Sequence, residues 1–142
     1  MKRSEALAIL SRDHHHALVV AQKLKRAEAA SGDAARAGYL AYWEAEGRRH
    51  FQLEEELLFP AYATHGDARH PLLLRALGDH VAIRALTAQL AATPAAPPAS
   101  LHELGAALET HVRLEERELF GVIEAAMPPA ELLDLARALN RA

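Results

Sequence analysis

The side chains of this chain best suited to chemistry lie in two runs, HFQLEEELLF at 50–59 and HVRLEERELF at 111–120. Aligned from their histidines, the runs share His, Leu, Glu, Glu, Leu and Phe in register. His50 precedes Glu54 by four positions, as His111 precedes Glu115. Residues four apart on an α-helix sit one turn apart on the same face. Each pair therefore aims an imidazole and a carboxylate at one point. A single pair of this kind is common on a solvated helix, but two in matched apolar settings are not.

Two further histidines fall into apolar stripes at helical spacing. On the first helix the stripe runs through Leu7, Leu10, Ala17, Leu18, Ala21 and Leu24, and of the run His14, His15 and His16 only His14 lies within it. His15 is its one rival. On the third helix the stripe is Leu73, Ala76, Leu77, His80, Ile83 and Thr87. An aspartate precedes each histidine, Asp13 before His14 and Asp79 before His80. The chain thus reads as a duplicated helical hairpin, each half giving one histidine and then a His-x-x-x-Glu pair.

Six inward polar groups, His14, His50, Glu54, His80, His111 and Glu115, are costly to bury unless something pairs them. Four imidazoles and two carboxylates form a nitrogen and oxygen donor set suited to iron, manganese or zinc. One ion would not use all six comfortably. Two ions sharing both glutamates would, with positions left for water or O₂.

The elements that must hold these residues are helices. The chain has 142 residues, 51% hydrophobic but only 5% aromatic, with most of the apolar content in Ala and Leu, which favours helix over sheet. Breaks at Ser31-Gly32, His65-Gly66 and the proline-rich 93–98 predict helices over about 4–30, 34–63, 71–92 and 100–127. In the fourth, Ser100 and Glu103 form a capping-box pattern. Pro60 should bend or tighten the last turns of the second helix. A short helix over about 130–140 follows Pro128-Pro129. The expected fold is all-α, an antiparallel up-down-up-down four-helix bundle with a short C-terminal helix, as one domain over 1–142 with its core at about 5–126.

The absence of cysteine excludes disulfides, thiolate catalysis and iron–sulfur ligation, and fits a cytoplasmic protein. The net charge of −3 has no basic block for nucleic acid, and no run is apolar enough for a membrane span. Among the remaining polar residues, His15, His16, His65, His70 and His102 read as surface or outlying groups. Glu46, one turn before His50, is placed to accept an imidazole hydrogen bond or else is solvated. Glu55 and Glu116, about 140° around the helix from their histidines, read as solvent-facing. Arg84 reads as directed outward, and Trp43 as core.

This pattern resembles the hemerythrin-like family, the HHE cation-binding domain, over roughly residues 5–126. The resemblance rests on His14, His50 with Glu54, His80, and His111 with Glu115, together with the flanking Glu-Glu-x-x-Leu-Phe. It implies a non-haem di-iron centre with bridging carboxylates that binds O₂ or a related molecule such as NO or peroxide. Members serve as oxygen carriers, oxygen or iron sensors and stress-response proteins. The O₂ carriers have a second histidine on helix 3 and a His-x-x-x-x-Asp spacing on helix 4, where this chain has Ala76 and Arg84 flanking His80, and Glu115. The departure implies one iron short of a protein ligand, and favours sensing, redox chemistry or labile iron binding over O₂ carriage. A di-iron enzyme and a helical module with zinc or no metal are the rival readings. A protein partner is open, a homodimer among the alternatives.

Overall fold

A computed structural model describes residues 3–142, and among them every regular element is helical. Helix α1 is Glu5–Lys25, α2 covers 32–63, α3 is Pro71–Ala91, α4 covers 98–126 and α5 is Pro129–Arg141. The Ser4 hydroxyl accepts from the Leu7 N–H at the start of α1, and Glu5 at that end and Lys23 and Lys25 at the other suit the helix dipole. Pro71, Pro98 and Pro129 each open a helix, where the missing N–H has no partner to lose.

Contacts along the helices show the antiparallel order. Arg3 reaches Glu124, Ser11 reaches Glu116 and Lys25 reaches Glu109, so α1 and α4 run in opposite directions. The Tyr39 hydroxyl bonds that of Thr87 at 2.6 Å and Glu55 pairs with Arg84, so α2 and α3 do the same. Gly105 allows α4 to lie close against α1, because a Cβ there would stand 2.8 Å from the Ala21 carbonyl oxygen.

The core is split into two apolar clusters. One contains Leu7, Leu10, Leu58, Phe59, Phe120 and Ile123, closed off by Leu135, Ala136 and Leu139 of α5. The other contains Val20, Leu24, Tyr39, Trp43, Leu104 and Leu108. On α1 and α3 the sequence passes from one cluster to the other through a site histidine, His14 or His80, and on α2 and α4 it does so within the His-x-x-x-Glu pair. The bundle therefore holds a polar layer between two dry plugs.

Several boundaries differ from the sequence expectation. Helix α1 stops at Lys25 instead of continuing to residue 30, because Ala27 turns inward and its carbonyl accepts a hydrogen bond from His102 Nε2 at 2.7 Å. Helix α4 starts at Pro98, ahead of the Ser100 capping box, and the Ser100 N–H bonds the Pro97 carbonyl. His70, taken as a surface or outlying group, caps α3 by accepting from the Leu72 N–H at 3.1 Å.

Candidate metal centre

Two of the three wide, π-type turns in the bundle begin at site glutamates, Glu54–Leu58 and Glu115–Leu119, and the third is Trp43–Gly47. At the first two, the N–H of Phe59 bonds the Glu54 carbonyl and that of Phe120 bonds the Glu115 carbonyl, five residues back. Each such turn inserts one extra residue into the helix, a device often found at functional sites. Pro60 is not the cause, since Gly121 occupies the matching place on α4. The helix widens before Pro60, where a bend or a tightening was expected.

The structure brings His14, His50, Glu54, His80, His111 and Glu115 into one buried layer, with both carboxylates fully enclosed. They form two overlapping donor groups, His14, His50, Glu54 and Glu115, and Glu54, His80, His111 and Glu115, with the donor atoms of each within 4.8 Å of one another. The Nε2 atoms of His14 and His50 are 3.2 Å apart, as are those of His80 and His111. Glu54 spans the halves, with one oxygen 3.2 Å from His50 and the other 3.0 Å from His80. Glu115 spans them likewise, 3.0 Å from His14 and 3.4 Å from His111, but without hydrogen-bond alignment at either oxygen. Both halves offer two imidazoles and the same two carboxylates.

Behind each imidazole stands another carboxylate. Nδ1 of His50 faces Asp13 at 3.0 Å, and Nδ1 of His111 faces Asp79 at 3.1 Å. Nδ1 of His80 faces Glu55 at 2.6 Å, and Glu116 lies 3.4 Å from Nδ1 of His14 without hydrogen-bond alignment. Glu55 and Glu116 are thus not the solvent-facing acids that their angular position suggested. The wide turns start one residue earlier, and both side chains reach the neighbouring helix. The signal was present in the sequence, as both runs repeat Glu-Glu in register.

These outer carboxylates decide what the inner face can bind. A carboxylate at Nδ1 holds the N–H outward and leaves the Nε2 lone pair inward. The inner surface then consists of lone pairs from imidazoles and carboxylates, with no hydrogen of its own to share. Protons, cations or a donor such as water satisfy such a cavity, and the unpartnered Glu115 oxygens mark where the deficit lies. Its mixed nitrogen and oxygen donors fit a pair of divalent ions.

With protons in that role, the titration behaviour follows. Burial lowers the His14 imidazole, but contact with Glu115 and Glu116 overrides it and raises it to about 9. Burial likewise opposes protonation of His50, and Glu54 and Asp13 together push it up to about 10. His111 is also raised, Glu115 and Asp79 prevailing over burial. The glutamates diverge. Burial works to raise Glu54, but His50 and His80 hold it well below the usual range, while burial and the neighbouring Glu54 raise Glu115.

Other residues take different places. His15 is exposed, which leaves His14 as the helix α1 member of the layer. Glu46 pairs with His16 and does not reach His50, whose outer partner is Asp13. Arg84 binds both Glu55 oxygens, at 3.1 and 3.2 Å, and lies over the rings of Trp43 and Phe51. A surface groove of about 680 Å³ between α1 and α2 is lined by His16, Val19, Lys23, Arg26 and Tyr39 among others, and contains none of the six. No helix among the described residues is long and apolar enough to cross a membrane.

A family model described as the hemerythrin HHE cation binding domain matches residues 5–123. No curated protein and no solved structure gives a significant match to the chain.

Proposed function

Because this chain belongs to the hemerythrin HHE cation-binding family, we propose that it holds a non-haem di-iron centre and uses it to bind or sense a small oxidant or diatomic ligand such as O₂, NO or peroxide. The observation that carries this reading is the closed layer of inward lone pairs, divided into two equal donor groups that share Glu54 and Glu115. When bound, two ferrous ions would supply electrons and open coordination positions to such a ligand. His14 and His50 would hold one ion, His80 and His111 the other, and Glu54 and Glu115 would join them.

The remaining side chains set conditions for that chemistry. Asp13, Asp79 and Glu55 orient their imidazoles, and Glu116 stands behind His14. The two apolar clusters exclude bulk water above and below the layer. The groove of about 680 Å³ does not include a site residue. A ligand of a few atoms suits this enclosure better than an organic substrate.

The test is iron content in anaerobically purified protein, with absorption spectra before and after O₂ is admitted. Two irons per chain and new near-ultraviolet or visible bands are expected. Sustained consumption of peroxide would move the reading to an enzyme. Zinc alone, or no metal after exposure to ample iron, would overturn it in favour of a structural helical module.

A further inference from the structure

The centre is built on an internal two-fold pattern, and one residue breaks its charge balance. Residues of α1 correspond to those of α3, His14 to His80 and Asp13 to Asp79, and those of α2 to those of α4, His50 to His111 and Glu55 to Glu116. Each half thus has two outer carboxylates, Asp13 and Glu116 around His14 and His50, and Asp79 and Glu55 around His80 and His111. The position matching Arg84 on α1 is Leu18. Arg84 places its guanidinium on both Glu55 oxygens, and the same carboxylate faces His80 at 2.6 Å. Phe51 lies between, stacked on the His80 ring with centroids 3.8 Å apart and planes within 5°, and Arg84 sits over its face at 5.6 Å.

The cation near the other half, Arg3, acts on Glu116 and lies over the Phe120 ring at 5.4 Å, but compensates only in part. Arg3 donates to the Glu116 backbone carbonyl, but its charge is matched by Glu124 at 3.0 Å. The Glu116 side chain instead accepts from the neutral Ser11 hydroxyl at 2.8 Å. With ionised carboxylates, two negative charges stand behind the His14/His50 half, and a net single one behind the His80/His111 half. Both halves share Glu54 and Glu115, so their difference in charge lies in these outer groups, beside the aligned Glu55 contact and the Phe51 ring that His80 has and His14 lacks.

We propose that Arg84 makes the centre unequal, with the His80/His111 half the weaker and more readily exchanged metal subsite. The inference rests on the two-ion reading above. A guanidinium repels a nearby dication and draws electron density from the carboxylate that supports His80. Changes to groups behind metal-bound histidines alter affinity about 10- to 100-fold, and the lower end is expected at a half-exposed ion pair. An unequal pair of affinities would not suffice as evidence, because a first ion always repels a second. The identity of the weak half and its dependence on Arg84 are the evidence required.

The experiment is titration of the metal-free protein with Co²⁺ alone, followed by visible absorption and calorimetry, with helicity checked for every variant. His14→Ala leaves the His80/His111 half and His80→Ala leaves the other. The expected result is binding about tenfold weaker in His14→Ala than in His80→Ala. Arg84→Leu, which installs the residue found at the matching α1 position, should strengthen the second binding step of the otherwise intact protein and leave the first unchanged. Arg84→Lys should keep the wild-type gap, which a purely packing role for the guanidinium would not. Tighter binding in His14→Ala, or an unchanged gap in Arg84→Leu, would overturn the inference while leaving the two-ion reading intact. Failure of the wild-type protein to bind Co²⁺ at all would overturn both.

Discussion

Asp13, on helix α1, faces Nδ1 of His50 on helix α2 at 3.0 Å, and so ties an inward imidazole to the helix that carries His14. Asp79 holds His111 from α3 in the same way at 3.1 Å. The aspartate side chains are 42% and 29% exposed, so replacing either should not open the core. Asp13→Ala and Asp79→Ala should each lower metal affinity about 10- to 100-fold with native helicity retained. Competition against a coloured chelator measures the affinity, and circular dichroism the fold. Unchanged affinity in both variants would remove the orienting role assigned to these carboxylates.

Glu54 and Glu115 test the shared character of the centre. Each approaches an imidazole of both halves, so neither belongs to one ion. Glu54→Gln and Glu115→Gln keep the volume and remove the charge. Metal content should fall from two ions per chain to one or fewer in both variants, with the metal-free proteins still helical. The two should not behave alike without metal. Glu54 is the ionised partner of His50 and His80, so Glu54→Gln should lower metal-free stability more than Glu115→Gln, because burial and Glu54 disfavour the Glu115 carboxylate that supports His14 and His111.

Protons and metal compete for the same inward atoms. In the metal-free protein His14 titrates near 9 and His50 near 10, against 6.5 when unperturbed. A raised folded-state pKa adds stability below the unfolded value and loses it as pH climbs through the folded one. The raised Glu115 acts in the same direction, while the lowered Glu54 contributes above its unfolded value and loses that contribution in acid. The metal-free protein should therefore have a lower urea midpoint at about pH 9 than at about pH 6. Loading with metal at about pH 8 should release about two protons, visible as a buffer-dependent binding enthalpy. A metal-free midpoint that rises over this range would contradict the proton-filled layer.

The six-residue layer was legible in the sequence because both His-x-x-x-Glu pairs, and the helices that carry His14 and His80, obey ordinary helical spacing. His14, His50, His80 and His111 are all inward, as their stripes indicate. The register beyond the glutamates was legible only in part, Leu119 being buried as its spacing indicates, because a wide turn costs the helix one residue of phase and leaves no mark in composition. An even 100° step places Leu57 and Ala61 of α2, and Val122 of α4, inside. The structure buries Leu58, Phe59 and Tyr62, and Phe120 and Ile123, instead. The same slip hid Glu55 and Glu116 as partners of His80 and His14. Trp43 is core, as its stripe implied, but it also carries one face of the Arg84 contact that periodicity does not reveal.

That phase shift can be measured one residue at a time. Ile123 is fully buried, while its neighbour Val122 is partly exposed. Ile123→Ala should cost about 2–5 kcal/mol, and Val122→Ala about 1 kcal/mol or less. Leu58, also fully buried, and Leu57, partly exposed, form the corresponding pair on α2. Leu58→Ala should likewise be the more damaging change, in the range of about 2–5 kcal/mol. Urea unfolding of the four metal-free variants gives the comparison without interference from bound ions. An uninterrupted helix predicts the opposite order on α4, since Val122 would then occupy the inner stripe and Ile123 its margin. Finding Val122→Ala the costlier of the two would therefore remove the wide turn at Glu115, and with it the geometry that brings Glu116 towards His14.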